Sequence, residues 1–524
     1  MTESPVQPPR RWTASTGLRL FIILLLALAV RLIAINTRIL WYDEAFAVLF
    51  SEKGLDAMLY GTLTPVNGAA ADVHPLAYYT ALDGWMRLAG QSPAAVRLFS
   101  VILGLATIGA VFLVARELFD EKIALAAAFV TALMPFHVQY SQEVRMYALL
   151  GLLLMLTTWC FLVAVKSGKL LAWLGFGVLA GLSMYAQQLA AFYLAALGLI
   201  PFLLRRRDLI VRTILASSLA VLIYLPWLVN LPSQLGKVGV YWIAKPSLPS
   251  LLLAVWAFLF VELEVTAPVA LFVSILSLSL IVIFLLLRTS QASRMKRTER
   301  QSLWIALWLV VAPLVLMWLF SQVRPVFLIR GLQGSALALY ICVAWLLLDA
   351  RVPRLFRALI GLAWIASCVV GLYYLFTWNT FPRPRFDLAW KSITAQADTV
   401  GTRVVHANKI TMLPMVYYAH LAHSTAPEQH YIRDVEGSGE DTLGLPTQQA
   451  LGLLADQCVA QAAGGADQVW FVIFKQQISD EGGSSPAMQW LDAHYRHLSD
   501  IPVNDLLLVL YDQPDAVAKA ARCE

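Results

Sequence analysis

The chain has 524 residues, of which 59% are hydrophobic and 14% charged, and its formal net charge is +6. Soluble domains are roughly 45–50% apolar and about 25% charged, so this composition excludes a single water-soluble globule. The basic residues form no long patch of the kind that nucleic-acid binding requires, and instead lie in short clusters between apolar runs, at 205–207, 288–300 and 351–357. We therefore predict a membrane protein without a nucleic-acid partner.

Apolar runs near the length of a membrane-crossing helix, about 20 residues, recur along the chain. We predict about eleven transmembrane helices, at 18–36, 95–115, 123–141, 146–165, 170–188, 190–204, 209–229, 267–287, 303–320, 327–349 and 358–378. The first run resembles a signal peptide in having Arg10 and Arg11 before it, but we interpret it as an uncleaved first span. The shorter stretch 249–263 ends in acidic residues, which favours an interfacial or re-entrant helix, with a twelfth crossing as the alternative.

Loop charges predict the orientation. If the N-terminus is cytoplasmic, the loops 116–122, 166–169, 205–208, 288–302 and 350–357 are cytoplasmic as well, and each contains Lys or Arg. This agrees with the positive-inside rule. We therefore expect a multi-pass protein of the cytoplasmic (inner) membrane, with two extracytoplasmic regions: the loop 37–94 and the C-terminal region. The predicted domains are 1–378 in the membrane and 379–524 as a soluble domain.

The C-terminal region has ordinary soluble composition and mixed periodicity. Predicted strands at Arg403–His406, Gln468–Phe474 and Leu506–Tyr511 alternate with predicted helices at 411–423, 446–463 and 485–496, which indicates an α/β domain. Cys458 and Cys523 also lie in this region. Outside the cytoplasm they could form a disulfide, but sequence spacing alone does not decide whether the two cysteines are close.

Four polar clusters fall on the predicted external side of the membrane. Each has a structural explanation: an interfacial aromatic belt with solvated acids, helix capping by Asp72, a local ion pair, or an arginine that extends to the interface. Their shared location nevertheless favours one functional site. The clusters are Trp41-Tyr42-Asp43-Glu44, Asp72-Val73-His74-Pro75, Gln139 to Tyr147, and Arg324 to Arg330.

Arg330 carries the clearest chemical indication. By the predicted boundaries it lies about one helical turn inside the membrane, where a charged side chain is costly without a partner. A lipid phosphate offers an anion that a guanidinium can bind with two hydrogen bonds. We therefore predict an anion near Arg330.

Together, the four clusters resemble motifs of the GT-C fold glycosyltransferases, in particular the protein O-mannosyltransferase and aminoarabinose transferase superfamily. Asp43-Glu44 resembles the Asp-Glu motif of the first external loop, and Tyr140-Ser141-Gln142-Glu143-Val144-Arg145-Met146-Tyr147 resembles the Tyr-Ser-x-Glu-x-Arg-x-Tyr stretch. Two further segments are similar but depart from the pattern, with Leu76 in place of a second proline and Gly331 in place of a tyrosine. The resemblance spans roughly residues 18–350 and indicates a distant bacterial-type member.

This resemblance implies transfer of a hexose or pentose from a polyprenyl-phosphate donor to a hydroxyl or amine of a protein, lipid or glycan. Asp43 would be the general base, Glu44 and Glu143 would shape the pocket, and Arg330, with Arg324 or Arg145, would hold the phosphate. The resemblance also implies donor- or acceptor-binding roles for Asp72, His74, Tyr140 and Tyr147.

Two alternatives remain open at the level of sequence. Asp72 and His74 could bind a divalent metal, but they are a small ligand set and we expect no cofactor. A transporter or flippase of a lipid-linked sugar is the competing function. However, transporters place polar residues near the membrane midplane, often within repeated halves, and the sequence shows no repeat.

Overall fold

The structure is a computed structural model that describes residues 14–66, 69–238, 243–397, 401–424, 426–435, 438 and 441–523. Up to residue 397 the chain is almost entirely helical. Its elements in chain order are α1 (Ala14–Leu32), α2 (Tyr42–Ser51), α3 (Leu55–Leu63), β1 (Pro65–Val66), β2 (Ala69–Ala70), α4 (Ala77–Ala89), α5 (Pro93–Leu118), α6 (Glu121–Leu133), α7 (Pro135–Ser141), α8 (Tyr147–Ser167), α9 (Leu170–Ala186), α10 (Ala190–Leu203), α11 (Arg207–Leu228), α12 (Leu231–Val238), α13 (Pro249–Leu259), α14 (Pro268–Ser290), α15 (Arg297–Ser321), α16 (Gln333–Leu348), α17 (Arg354–Thr377) and α18 (Phe386–Thr394).

Eight helices in the described part of the chain are long and apolar enough to cross a membrane. They are α1, α5, α8, α11, α14, α15, α17, and α16 together with the 3-10 turn before it, Ile329–Leu332. Helices α6 and α7 add a ninth crossing if they are counted as one, bent by 66°. The bend lies at Pro135, whose ring and missing N–H interrupt a helix.

The predicted polytopic helical fold is confirmed, and every predicted span coincides with a helix or a bent pair. Helices α9 and α10 have only 17 and 14 residues, so the number of eleven crossings stays a prediction. Helix α13 has 11 residues, which corresponds to about 16 Å, roughly half of the hydrocarbon core. Its length fits the predicted interfacial or re-entrant helix better than a twelfth crossing.

Helix α16 lies at the centre of the helical bundle. In its apolar window 89% of the residues are buried, against 22% for α1 and for α11. The 3-10 turn that carries Arg330 precedes this central helix. The position of α16 therefore brings Arg330 to the middle of one end of the bundle.

The C-terminal region forms a mixed five-stranded sheet flanked by helices, as the predicted α/β fold requires. Its strand order is β4-β3-β5-β7-β6, with β3 parallel to β4 and β5, and β7 antiparallel to β5 and β6. The elements are β3 (Thr402–His406), α19 (Lys409–Leu421), β4 (Glu428–Tyr431), α20 (Leu445–Leu451), α21 (Val459–Ala463), β5 (Gln468–Phe474), α22 (Lys475–Asp480), α23 (Pro486–His494), β6 (Arg496–Val503), β7 (Leu506–Asp512) and α24 (Ala516–Ala520).

Two sequence predictions in this region need correction. The single helix predicted at 446–463 is two short helices, because Gly452 adopts a left-handed conformation, φ +74°, and ends α20. The strands β4 and β6 were not predicted. Both lie at the edges of the sheet, where polar side chains replace the apolar run that marks a buried strand.

The C-terminal region packs directly on the loop between the first two spans. The backbone N–H of Leu40 donates to the Tyr418 hydroxyl of α19 at 3.0 Å, and the Thr447 hydroxyl of α20 donates to the carbonyl of Gly61 at 2.7 Å. Ile39 also lies in the same apolar core as residues of the sheet. The division into domains 1–378 and 379–524 remains a prediction, and these contacts show how closely the two parts are joined.

We predict that a side chain at Gly61 disturbs this packing. A Cβ atom there would lie 2.8 Å from Ala450 Cβ and 3.1 Å from the Phe50 ring. Gly61→Val should therefore lower stability by about 1–3 kcal/mol through overpacking. Thermal unfolding of the purified protein in detergent measures the effect. In the control, Gly84→Val, the new Cβ has no neighbour within 4 Å, and an equal loss in that variant would contradict the prediction.

Candidate active site

The first turn of α2 presents the two adjacent acids in different directions, because neighbouring helical residues are about 100° apart. The side chain of Asp43 is 15% exposed, whereas that of Glu44 is fully buried. Carboxylates are favoured at a helix N-terminus by the helix dipole. Asp43 is thus placed to meet a ligand, while Glu44 faces the protein interior.

Asp43 pairs with two arginines that are distant in sequence. Its Oδ2 atom lies 3.2 Å from Nη1 of Arg330 and 3.9 Å from Nε of Arg145. Burial opposes ionisation of Asp43, but the positive charges of Arg145 and Arg330 outweigh it and hold the pKa of Asp43 below its ordinary value. Asp43 is therefore a carboxylate at neutral pH.

Arg330 is held between aromatic rings at the start of the central helix. Its guanidinium lies 6.0 Å from the centroid of Trp41 and 5.6 Å from that of Tyr147, distances that allow cation–π attraction. The glycine that follows has a packing reason, since a Cβ at Gly331 would lie 2.5 Å from the side chain of Leu189. A side chain at this position, where the family pattern has a tyrosine, would therefore require the side chain of Leu189 to move.

A chain of polar contacts leads from Asp43 to Asp72. Arg145 donates to the Tyr79 hydroxyl at 2.9 Å and lies 3.2 Å from Nε2 of His74. The other ring nitrogen of His74 lies 2.8 Å from Asp72 Oδ1. Because Nε2 faces a guanidinium, it acts as an acceptor and the Nδ1–H donates to Asp72. Asp72 does not cap a helix, since α4 begins at Ala77.

The pair Asp72 and His74 does not fit a divalent metal. The ring nitrogen of His74 that could bind a cation faces Arg145 instead. Among the described residues, no group of three His, Cys, Asp or Glu side chains is suitably placed to hold a metal ion. The polar contacts of this pair are instead those of an orienting network.

Glu44 lies in a buried ion network that the sequence did not reveal. Its oxygens accept from Nε of Arg97 at 3.0 Å and Nη2 of Arg97 at 2.8 Å, and Arg383 Nη1 also donates to Glu44. Burial opposes ionisation, but these two arginines lower the pKa of Glu44 to about 2. In the sequence, the one indication that Arg97 needs an acidic partner is its position near the start of a membrane-spanning helix. Arg383 had none, because it lies in the linker after the last span.

Glu143 joins the same network from the break between α7 and α8. Its Oε1 atom accepts from Arg383 Nη2 at 3.0 Å and from the Trp41 indole N–H at 2.9 Å. Its Oε2 atom is buried without a hydrogen-bond partner in the described structure. Burial and the neighbouring Glu44 raise the pKa of Glu143, although Arg383 opposes the shift. Glu143 thus has one free oxygen beside the site.

Two further residues differ from their predicted surroundings. The Tyr140 hydroxyl donates a hydrogen bond to Glu262. Glu262 follows the short helix α13, and the sequence indicates only that it lies at the end of that apolar stretch. Burial raises the pKa of Glu262 to about 7, against the opposing charge of Arg330. Arg324, predicted as a second phosphate ligand, is exposed, and in the described structure it makes no ion pair with the other site residues.

Comparisons with known proteins bear on the family and the fold of the chain. Residues 73–231 match the family model described as dolichyl-phosphate-mannose-protein mannosyltransferase. That segment includes His74, Glu143 and Arg145, whereas Asp43 and Arg330 lie outside it. A search of curated protein sequences finds no match.

Solved structures of similar shape cover nearly the whole chain. ArnT from Cupriavidus metallidurans in the apo state has a TM-score of 0.61 at 13% identity, covering 98% of this chain and 100% of that one. Its complex with undecaprenyl phosphate gives 0.62 at 12% identity, covering 95% and 98%. The Archaeoglobus fulgidus oligosaccharyltransferase tethered with an acceptor peptide gives 0.54 at 13% identity, covering 93% and 73%. At these identities the likeness establishes the fold.

The fold and the family match together define the class of protein. The chain has the GT-C fold and is a membrane glycosyltransferase of that class. The resemblance first noted in four separate motifs is thereby confirmed.

The buried network predicts a large effect for Arg383. Arg383→Gln leaves Glu44 and Glu143 buried with fewer positive partners, so we expect a stability loss of about 3–5 kcal/mol. The matched control is Arg385→Gln, which removes a partly exposed pair with Asp387 and should cost about 0–1 kcal/mol. Thermal unfolding of both purified variants measures the difference. Equal stability losses in the two variants would show that Arg383 is not a buried partner.

Proposed function

We propose that the protein transfers a sugar from a polyprenyl-phosphate donor to a hydroxyl or amine of an extracytoplasmic protein, lipid or glycan acceptor. The observation that carries the proposal is the contact between Asp43 and Arg330. A partly exposed carboxylate and a partly exposed guanidinium lie 3.2 Å apart although 287 residues separate them. A proton acceptor and an anion-binding group thus face the same small volume.

The reaction uses these two groups in different roles. The acceptor loses its proton to Asp43 as its oxygen or nitrogen attacks the anomeric carbon of the sugar. The bond between that carbon and the phosphate oxygen breaks, and the electron pair remains on the phosphate. Arg330 binds this phosphate and stabilises its growing negative charge. A phosphate leaving group needs little protonation, so one carboxylate suffices where glycosidases use two.

Binding of the donor also changes the basicity of the Asp43 carboxylate. In the protein alone, Arg145 and Arg330 hold the pKa of Asp43 low, which makes it a weak base. A phosphate bound to Arg330 adds negative charge beside Asp43 and so favours the protonated carboxyl. The donor phosphate would thereby strengthen Asp43 as a proton acceptor at the time when one is needed.

The other site residues support these two. Arg145, oriented by His74 and Asp72, lies near Asp43 and could share the phosphate. Glu143 shapes the pocket beside them through its contacts with Arg383 and Trp41. Glu44 is fully buried and paired with two arginines, so we assign it a positioning role instead of the substrate contact that the family pattern implies. Arg324 is exposed, and we assign the main phosphate contact to Arg330.

Substitution of the proposed base should separate chemistry from donor binding. Asp43→Asn should lower transfer by about 10²–10⁴-fold, the usual contribution of a general base. Binding of undecaprenyl phosphate should stay equal or become tighter, because Arg330 loses its competing carboxylate. Mass spectrometry of glycosylated envelope proteins and lipids measures transfer, and thermal stabilisation by undecaprenyl phosphate measures binding.

Two further variants serve as controls for this experiment. Asp56→Asn changes another acid in the first turn of an external helix, but an exposed one, and should keep full activity. Arg330→Gln should weaken undecaprenyl phosphate binding as well as transfer. Full transfer by Asp43→Asn would overturn the mechanism. Sugar-lipid movement across the membrane without transfer would instead support the transporter, although the site lies at the end of the bundle and not at its midplane.

The orientation of the site is part of the proposal. Cys458 and Cys523 form a disulfide, and disulfides persist mainly outside the cytoplasm. Together with the basic loops at the opposite end of the helices, this supports a cytoplasmic N-terminus and an extracytoplasmic C-terminal region in the inner membrane.

Thiol labelling in spheroplasts tests the orientation. Cys458 and Cys523 should react with an impermeant maleimide only after treatment with an impermeant reductant. The remaining cysteines, Cys160, Cys342 and Cys368, lie within membrane helices and should stay unlabelled in a Cys458→Ser/Cys523→Ser control. Labelling that requires lysis of the spheroplasts would place the C-terminal region in the cytoplasm.

A further inference from the structure

A groove of about 540 Å³ opens at the end of the helical bundle opposite to Asp43. It lies between the C-terminal ends of α8 and α10, represented by Val165 and Leu203, and the N-terminal half of α15. The candidate active site, in contrast, is at the N-terminal end of α8 and beyond the C-terminal end of α15. Because α15 has 25 residues, it spans about 37 Å, so the two sites face opposite membrane surfaces.

One face of α15 forms a wall of this groove with two kinds of side chain. Residues spaced three or four apart share a helix face. The groove-lining residues of α15 follow this spacing, with charged groups at the helix start and tryptophans one to three turns later: Arg297, Arg300, Trp304 and Trp308. Trp304 is 53% exposed. The wall therefore changes from cationic to aromatic along the direction that enters the membrane.

The positive charge of this wall is not neutralised by nearby acids. Arg206, which also lines the groove, pairs with Asp208 at 2.8 Å. The acid next to the wall, Glu299, is paired with Arg351. Among the described residues, no carboxylate lies within ion-pair distance of Arg297 or Arg300. The mouth of the groove thus holds two arginines without a counter-ion.

Apart from Arg206 and Gln301, the rest of the groove is lined by apolar residues. Its remaining lining includes Ile200, Leu204 and Leu209. A neighbouring cavity of about 660 Å³ shares Val165, Leu204 and Ile305 with it, but is also lined by Glu117, Asp120 and Glu299 and is therefore unsuited to a hydrocarbon chain. Two arginines at the mouth of a groove with apolar walls match a molecule with one anionic head and hydrocarbon chains.

We propose that this groove binds an anionic glycerophospholipid from the leaflet opposite to the Asp43 site. Arg297 and Arg300 bind its phosphate by charge-assisted hydrogen bonds, while the acyl chains lie along Trp304 and the leucines of α10. Basic pockets between membrane helices are suited to such headgroups, and tryptophan is favoured at the membrane interface. The proposal does not depend on the proposed transfer reaction.

Native mass spectrometry of the full chain, released from nanodiscs of equal phosphatidylglycerol and phosphatidylcholine, tests this proposal. The wild-type protein should retain phosphatidylglycerol over phosphatidylcholine. The double variant Arg297→Gln/Arg300→Gln should lose this retention by at least about fivefold. The matched control, Lys296→Gln/Arg354→Gln, removes the same charge from exposed residues at the same end of the bundle that do not line the groove.

The outcomes distinguish a specific lipid-binding site in the groove from non-specific electrostatic attraction. Selective loss in the groove variant supports the proposal. An equal loss in both double variants, or no loss in either, overturns it. Arg330→Gln should leave phosphatidylglycerol retention unchanged while it weakens undecaprenyl phosphate binding, so failure of the lipid site and failure of the transfer mechanism are distinguishable.

Both double variants must first show the same thermal unfolding as the wild-type protein. If the groove variant is unstable, Trp304→Ala is measured in its place, with the same expected loss of phosphatidylglycerol retention.

Discussion

The structure depends on compensation of charge at one end of an apolar helical bundle. Glu44 has no exposed side-chain surface and is stable as a carboxylate only because Arg97 and Arg383 bind it. Removing a charge from water costs several kcal/mol unless partners and hydrogen bonds replace the solvent. Since α2, α5 and the linker after α17 each supply one member, this requirement fixes three distant parts of the chain relative to one another.

The same network explains why two adjacent acids have different roles. Glu44 is saturated by buried arginines and keeps its pKa near 2, so it cannot exchange protons at neutral pH. Asp43, one residue earlier, remains partly exposed beside its partner Arg330. A buried, fully paired residue next to a partly exposed one is an effective way to hold the exposed group in a fixed position.

The two ends of the bundle are both charged but differ in balance. At the end that contains Asp43, carboxylates and guanidinium groups are interleaved, Asp43 and Arg330 are partly exposed, and one buried oxygen of Glu143 has no hydrogen-bond partner in the described structure. At the opposite end, Arg206, Arg288 and Arg351 are paired with acids, whereas among the described residues no acid forms an ion pair with Arg297 or Arg300. Mixed charge suits a site where a proton and a phosphate are handled together, whereas a purely positive site suits anion retention.

The sequence by itself determined the helical membrane fold, because so many long runs of apolar residues are stable together only in a bilayer. It also marked the polar clusters that contain Asp43, Glu143 and Arg330. It predicted the buried strands of the C-terminal sheet from their apolar runs but missed the polar edge strands. Only the tertiary structure decided which charges meet. Arg383 and Glu262 carry no local signal, since their partners lie more than a hundred residues away, and ion pairing depends on distance in space and not on separation along the chain. For the same reason, only the structure could show that Glu44 is buried while Asp43 is partly exposed, and that Arg324 is exposed.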